Sequence, residues 1–157
     1  MVVRAVRFAR ACPVLLLATA TAHADVHGSI GAGGAFVLTG DGGDRFRLEA
    51  VADVKLTPKL GAIAAWRAFD EDHAGLVMAG VEYEGAAARP RLVLDLHGEL
   101  GFDLDAEVPL AGGGLRTTLG IFGPLGVALD TGAYLVIDGI DDTRLQIQSS
   151  ACIVARW

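Results

Sequence analysis

Three ionisable residues at alternating positions, Asp95, His97 and Glu99, could together do chemistry. If the segment is an extended strand, alternate side chains share one face and lie about 6–7 Å apart per step. An imidazole between two carboxylates is typical of a proton-transfer pair or of part of a metal site. A metal site needs three or four converging ligands, and no second histidine has a matching position. We therefore expect neither a metal nor a cofactor here.

The strand that would carry this triplet belongs to a wider alternating pattern. From Arg45 to Leu56, twelve residues alternate between apolar and mostly charged positions, and Arg91 to Val108 repeats the pattern. Such alternation predicts strands with one polar face. In a closed barrel these polar faces would meet in the lumen, as a polar conduit or, as we expect, as an ion-paired plug, because charges removed from water must be paired. The predicted lumen network comprises Arg47, Glu49, Asp53, Lys55, Asp95, His97 and Glu99.

The amino-terminal segment predicts export. Arg4, Arg7 and Arg10 precede an apolar run from Pro13 to Ala22, and Ala22-His23-Ala24 forms an A-x-A cleavage site. This is the pattern of a secretory signal peptide, and the run is too short for a stop-transfer helix. We therefore predict a signal peptide over residues 1–24, with Ala22 and Ala24 at the cleavage site, and one β-barrel domain over residues 25–157.

Composition narrows the class of the mature chain. Cleavage would remove three of thirteen basic residues and none of nineteen acidic ones, so ten basic residues remain and the formal charge becomes −9. Such acidity argues against a nucleic-acid partner. Cys12 leaves with the leader, and Cys152 is then a single cysteine, expected in the core or lumen. No stretch of about 18 apolar residues follows the leader, so a transmembrane helix is not expected.

Glycine, proline and acidic clusters divide the mature chain into eight predicted strands. Short turns are predicted at Thr57-Pro58-Lys59, Gly85 to Arg89 and Gly123-Pro124, whereas the other connections are acidic. In an up-and-down meander the acidic connections would share one end of the barrel. The pattern after residue 89 runs for 18 residues, so it predicts either one protruding strand or a hairpin near Gly98. The strands are predicted near 26–38, 45–57, 59–69, 75–85, 89–102, 114–122, 125–138 and 143–157.

Alternation by itself leaves open which face is wet. A soluble lipocalin-like barrel in the periplasm, binding a small apolar ligand, would show the same period. Two features favour a polar lumen and a lipid-facing apolar surface. Several runs reach the ~9–11 residues that a tilted membrane strand needs. Small residues also share the polar face with the charges, as a narrow lumen requires; they are Gly31, Gly33, Gly61, Gly120, Gly126 and Gly132.

The last strand carries a resemblance to a known family. Leu145 to Trp157 alternates in polarity and finishes on an aromatic residue. The chain thus resembles the small eight-stranded outer-membrane barrels of Gram-negative bacteria, such as the OmpA-type membrane domain and the OmpX-like proteins. This resemblance implies an all-β, antiparallel, up-and-down transmembrane barrel that is monomeric in outer-membrane lipid and lipopolysaccharide. It also implies that the barrel-assembly machinery reads Ile153, Ala155 and Trp157.

Other candidate sites have weaker patterns. His73 and the acidic residues before it could collect Ca²⁺ or Mg²⁺ in an outer loop, but their spacing is not that of an EF-hand. A lipid A-modifying enzyme would need a histidine and a serine near the rim, and His27 with Ser29 lies at the opposite end. The remaining candidate serines, Ser149 and Ser150, complete no catalytic motif. We expect a structural or surface-interacting barrel that is neither catalytic nor conducting.

Overall fold

The protein is described from a computed structural model covering residues 27–39, 45–68, 75–89, 91–139 and 142–157. The predicted leader with Ala22 and Ala24, His73, and most of the acidic connections lie outside these described residues. Eight strands occupy almost all of the described chain. They are β1 (Gly28–Thr39), β2 (Arg45–Lys55), β3 (Leu60–Ala68), β4 (Leu76–Arg89), β5 (Leu92–Asp103), β6 (Val108–Phe122), β7 (Leu125–Ile137) and β8 (Thr143–Arg156).

Each strand pairs antiparallel with its neighbours in sequence, and β8 pairs with β1, so the sheet closes into a barrel. The predicted all-β, eight-stranded, up-and-down architecture is thereby confirmed. Ile30 opposes Ala155 in the closing pair, and the amides of Gly28 and Trp157 each donate to the other residue's carbonyl, at 3.2 and 3.1 Å. Closure satisfies the backbone groups that an open sheet would leave unpaired. In the described part of the chain, no helix is both long and apolar enough to cross a membrane.

The two ends of the barrel differ in their connections. At the end where β1 begins and β8 ends, the turn end, β2 passes to β3 through a tight turn in which the Thr57 hydroxyl accepts from the amide of Leu60 at 2.9 Å. Gly123 takes a left-handed φ of 53° in the β6–β7 turn, a backbone conformation that glycine adopts readily. At the other end, the loop end, Asp103 accepts the amides of Asp105 and Ala106 at 3.0 Å.

Two sequence-based boundaries were wrong. The alternating run after residue 89 divides into β5 and β6 at residues 104–107, and not near Gly98, which lies within β5. The sixth strand begins at Val108 because Gly112, Gly113 and Gly114 pair with both neighbouring strands and do not interrupt the strand. The predicted turn at Gly85 to Arg89 is also wrong, since β4 continues to Arg89 through two register shifts against β5.

The strand alternation sorts side chains into two environments. Large apolar side chains point outward on every strand, among them Leu48 at 55% exposure and Leu129 at 55%. Charged and small residues alternate with them and point inward, as do all six glycines that the sequence placed on the polar face. Ion pairs and a cluster of apolar residues therefore fill the interior together.

Candidate functional site in the barrel lumen

All seven residues of the predicted network point into the lumen. Arg47, Glu49, Asp95, His97 and Glu99 are buried, while Asp53 and Lys55 are half-buried. The structure distributes the seven along the barrel axis. They meet partners that the sequence analysis left out, although each partner sits at an alternating position of a strand that was recognised. These partners are Arg67, Glu82, Glu84, Asp103, Arg116, Asp130 and Tyr134.

Towards the loop end, Arg67 on β3 is the centre of a buried cluster. Its Nε donates to Glu49 Oε1 at 2.8 Å, and its Nη2 lies 2.6 Å from the same oxygen. The Arg67 guanidinium also donates to the Gln148 side chain, and Gln148 in turn donates to Gln146 at 2.7 Å. Cys152 donates to the other Glu49 oxygen at 3.3 Å, which places this cysteine inside the barrel. The buried guanidinium and carboxylate are thus paired and hydrogen-bonded, as burial of charge demands.

The middle of the lumen contains the triplet residue His97 between two carboxylates. Its Nδ1 lies 3.4 Å from Glu99 Oε2, and its Nε2 lies 3.2 Å from Asp130 Oδ2 on β7. The Tyr134 hydroxyl donates to the same Glu99 oxygen at 2.6 Å. Asp95, the third member of the triplet, takes a different partner, Lys55, at 3.0 Å. Closure of the barrel therefore separates the triplet into two ion-paired groups.

Arg116 and Lys55 organise the charges nearer the turn end. Arg116 lies 3.3 Å from Asp130, 3.6 Å from Asp53 and 3.9 Å from Glu82. Lys55 lies 2.9 Å from Glu82, 3.0 Å from Asp95 and 3.9 Å from Glu84. The Ser29 hydroxyl donates to Asp53. Each cation here is shared among carboxylates from several strands, so this network ties strands together across the lumen.

A cavity of about 720 Å³ lies above these charges at the turn end. Its floor includes Glu82 and Arg116, and its mouth includes Pro58 of the β2–β3 turn and Trp157. The side chains of Lys55 and Glu84 keep 20% and 29% exposure, so solvent reaches them from this end. We call this space the turn-end cavity.

Towards the loop end the lumen is densely filled. Val37, Leu76 and Met78 are at most 1% exposed, and Leu110 and Tyr134 pack in the same apolar interior. Arg47 lies 3.6 Å from Asp103 in this half of the barrel. The described lumen is therefore a cup, with a packed loop-end half and an accessible turn-end cavity.

The candidate catalytic serines lie in different environments in the barrel. Ser29 is bonded to Asp53, and Ser149 lies on the outer face, 3.2 Å from the Thr131 hydroxyl. Ser150 points inward and is half-buried. Within the described ranges, no group of three or more His, Cys, Asp or Glu residues is arranged to hold a metal ion.

The residues of the predicted assembly signature lie on the outer face of the closing seam. Ile153 is 70% exposed, Ala155 is half-buried, and the Trp157 ring lies over Gly28. Trp157 also lines the mouth of the turn-end cavity, so it lies at the rim of the barrel.

Fold and lumen together define the class as an eight-stranded antiparallel barrel with a polar, ion-paired interior and an apolar outer surface. Among solved structures, the chain is similar to neisserial surface protein A (NspA), at 10% sequence identity and a TM-score of 0.48. That alignment covers 85% of this chain and 98% of the neisserial chain. Neither a protein-family model nor a curated protein matches the sequence.

Proposed function

We propose that this protein is a small integral outer-membrane barrel with a structural or surface-interacting role and no catalytic activity. The observation that carries the proposal is the polarity of the barrel wall. Arg67, Glu49 and Glu99 are buried inside, while Leu100, Leu129 and Phe46 are between 55% and 71% exposed outside. Contiguous apolar surface of this extent is unusual for a soluble monomer and is the pattern of a barrel surrounded by lipid.

The same polarity speaks against the soluble alternative. A lipocalin-like barrel that binds an apolar ligand needs an apolar pocket. Here the accessible cavity has ionic residues on its floor, including Glu82 and Arg116. In a soluble barrel, outward side chains such as Leu129 and Ile153 would also be exposed to water. A barrel in a membrane explains both the apolar outer face and the ionic interior, whereas a soluble apolar-ligand carrier explains neither.

We propose further that the barrel is non-conducting, monomeric and assembled by the barrel-assembly machinery. The packed loop-end half, with Leu76 at 0% exposure and Met78 at 1%, supports a closed lumen. Eight strands enclose only about enough space for side chains. Outer-membrane lipid and lipopolysaccharide are then the molecules in contact with the outer face.

Cell fractionation tests the location. We expect the protein in the outer-membrane fraction, resistant to carbonate extraction, with faster migration of the unboiled sample on a detergent gel. Such a shift reports a barrel that stays folded in detergent until it is heated. Recovery in the soluble periplasmic fraction, with equal mobility before and after boiling, would overturn the proposal.

Deletion of Trp157 tests the assembly step. Loss of this residue removes the aromatic side chain that the machinery is proposed to read, so the folded form should decrease in the outer membrane. The matched control is Trp66→Phe, which changes an aromatic residue on the outer face of β3 and keeps the carboxy-terminal strand. Equal amounts of folded protein from the deletion variant and the wild type would contradict a role for Trp157 in assembly.

A further inference from the structure

The turn-end cavity combines a solvent-accessible volume with charges of both signs. Its volume of about 720 Å³ falls within the ~300–1,000 Å³ typical of small-molecule sites. The floor carries Glu82, Asp95 and Arg116, while Leu56 and Val93 supply apolar wall. A ligand that fits must therefore be small and combine charge with some apolar surface.

Two of the charged residues that line the cavity are weakly engaged. Glu84 on β4 has its ion pair with Lys55 at 3.9 Å, the longest of the three that Lys55 makes. Arg156 on β8 lies against Gly120, and within the described residues its guanidinium has neither an ion pair nor a side-chain hydrogen bond. A carboxylate and a guanidinium are thus available to a ligand, whereas Arg116 is shared by three carboxylates.

The strand order sets these two groups on opposite walls. In a closed barrel of eight strands in sequence order, three strands lie between β4 and β8 in either direction around the wall. A ligand that satisfies both groups therefore needs a positive end for Glu84 and a negative end for Arg156. Free amino and carboxyl termini provide this pair, since their ordinary pKa values of about 8 and about 3.5 leave both charged near neutral pH.

We propose that the turn-end cavity binds a small zwitterion of the amino-acid or dipeptide class. The ammonium group lies towards Glu84, the carboxylate towards Arg156, and small apolar side chains against Val93 and Leu56, while Glu82 and Asp95 stay paired with Lys55. Both ligand charges are met by protein charges, so the partial desolvation of each end is compensated. The inference concerns the lumen and goes beyond the membrane role, and neither depends on the other.

Titration of the purified, folded barrel in detergent micelles with L-alanyl-L-alanine, followed by amide NMR, tests this site. We expect saturable shifts at Ser29, Glu84 and Thr118, around the cavity, with Leu76 in the loop-end half unchanged. Capping either end, as N-acetyl-alanyl-alanine or as alanyl-alanine amide, should weaken binding at least tenfold. No shift up to 20 mM dipeptide, or equal affinity for the capped forms, would overturn the proposal.

Substitutions assign the two ends separately. Each of the variants Glu84→Gln and Arg156→Gln should bind the free dipeptide at least tenfold more weakly than wild type does. In Glu84→Gln the difference in affinity between the free and the acetylated ligand should become smaller. In Arg156→Gln the difference between the free and the amidated ligand should become smaller. Arg144→Gln, on an exposed arginine at the loop end, is the control and should leave affinity unchanged. Each variant is used only if it retains the heat-dependent gel mobility of a folded barrel. Folded variants of Glu84 and Arg156 that bind the free dipeptide like wild type would refute the assignment. A failure here leaves the fractionation result, and so the membrane proposal, untouched.

Discussion

At the scale of single residues, burial determines what each charge contributes. Arg67 is 2% exposed and contacts Glu49, whereas Arg144 contacts Asp138 with both side chains 50% exposed. A buried pair that loses one member leaves an uncompensated charge in a poorly solvated interior, but an exposed pair is already screened by water. Two pairs of the same chemical type therefore have different roles in the same barrel.

Replacing Arg67 with methionine should lower the free energy of unfolding by about 3–5 kcal/mol, because Glu49 is left buried without its cation. Urea unfolding of the barrel in lipid vesicles measures this change. The control Arg144→Gln should cost less than about 1 kcal/mol, as exposed pairs do. Equal free energies of unfolding for the Arg67 variant and the wild type would show that the Glu49–Arg67 pair does not stabilise the barrel.

Inward glycines have a second residue-scale role, because they make room for neighbouring side chains. A Cβ on Gly112 would clash with the Ala133 carbonyl oxygen and lie 2.6 Å from Tyr134 Cδ1, so the backbone of β7 and the tyrosine ring together occupy the space that a side chain would need. Gly98 faces outward, and the nearest atom to its Cβ position is the Gly112 carbonyl oxygen, at 3.9 Å. Tyr134 can thus reach Glu99 only because the neighbouring strand presents glycine.

We expect Gly112→Ala to destabilise the barrel by about 1–3 kcal/mol, the usual cost of overpacking. Gly98→Ala, on the adjacent strand, is the matched control and should change the unfolding free energy by much less. Denaturant titration followed by tryptophan fluorescence gives both values. If the two alanine variants are equally stable, close packing of Tyr134 over Gly112 is not a constraint on this fold.

At the scale of elements, the two faces of each strand have different surroundings. β7 shows this most simply: Ala128, Asp130 and Tyr134 face inward and are buried, while Leu129 and Leu135 face outward and are exposed. A shift of one residue in its pairing would put Asp130 on the outer face. Two-sided alternation therefore fixes the register as well as the strand itself.

Substitution along β7 tests the proposed lipid contact by depth. Leu129→Arg, within the strand, should cost about 2–4 kcal/mol in a bilayer, whereas Ile137→Arg, at its loop end, should cost about 0–1 kcal/mol. The measurement is unfolding free energy in vesicles. Similar small costs at both positions would indicate that the outer face does not meet hydrocarbon.

At the scale of the whole molecule, the barrel is asymmetric along its axis. Apolar packing around Leu76, Met78 and Leu110 fills the loop-end half, and a charged cavity occupies the turn-end half. Over the described residues, a cavity at one end and a packed interior at the other are what the proposed non-conducting barrel requires.

In planar bilayers the reconstituted barrel should therefore show no sustained single-channel conductance. The physical reason is that ion passage would require separation of buried groups such as Arg67 and Glu49 from each other. A general porin inserted under the same conditions provides the positive control for reconstitution. Stable, stepwise conductance from properly folded protein would contradict a closed lumen.

Much of this architecture follows from the sequence. Period-2 alternation is a local property of the chain, because neighbouring side chains on a strand must point to opposite faces. It predicted eight strands, and placed Arg47, Glu49 and His97 on one face together with the small residues that a narrow interior requires. The tight turns at Thr57-Pro58-Lys59 and Gly123-Pro124 were likewise readable from turn-forming residues.

Tertiary structure decided the rest, because pairing across a lumen depends on register, tilt and closure. The sequence suggested that Asp95, His97 and Glu99 form one site. In the closed barrel, however, Asp95 pairs with Lys55 and His97 pairs with Asp130. The start of β6 depended on the pairing of Gly112, Gly113 and Gly114 with both neighbouring strands, which a single strand does not reveal. The turn-end cavity, finally, exists only where eight inward faces leave space between them.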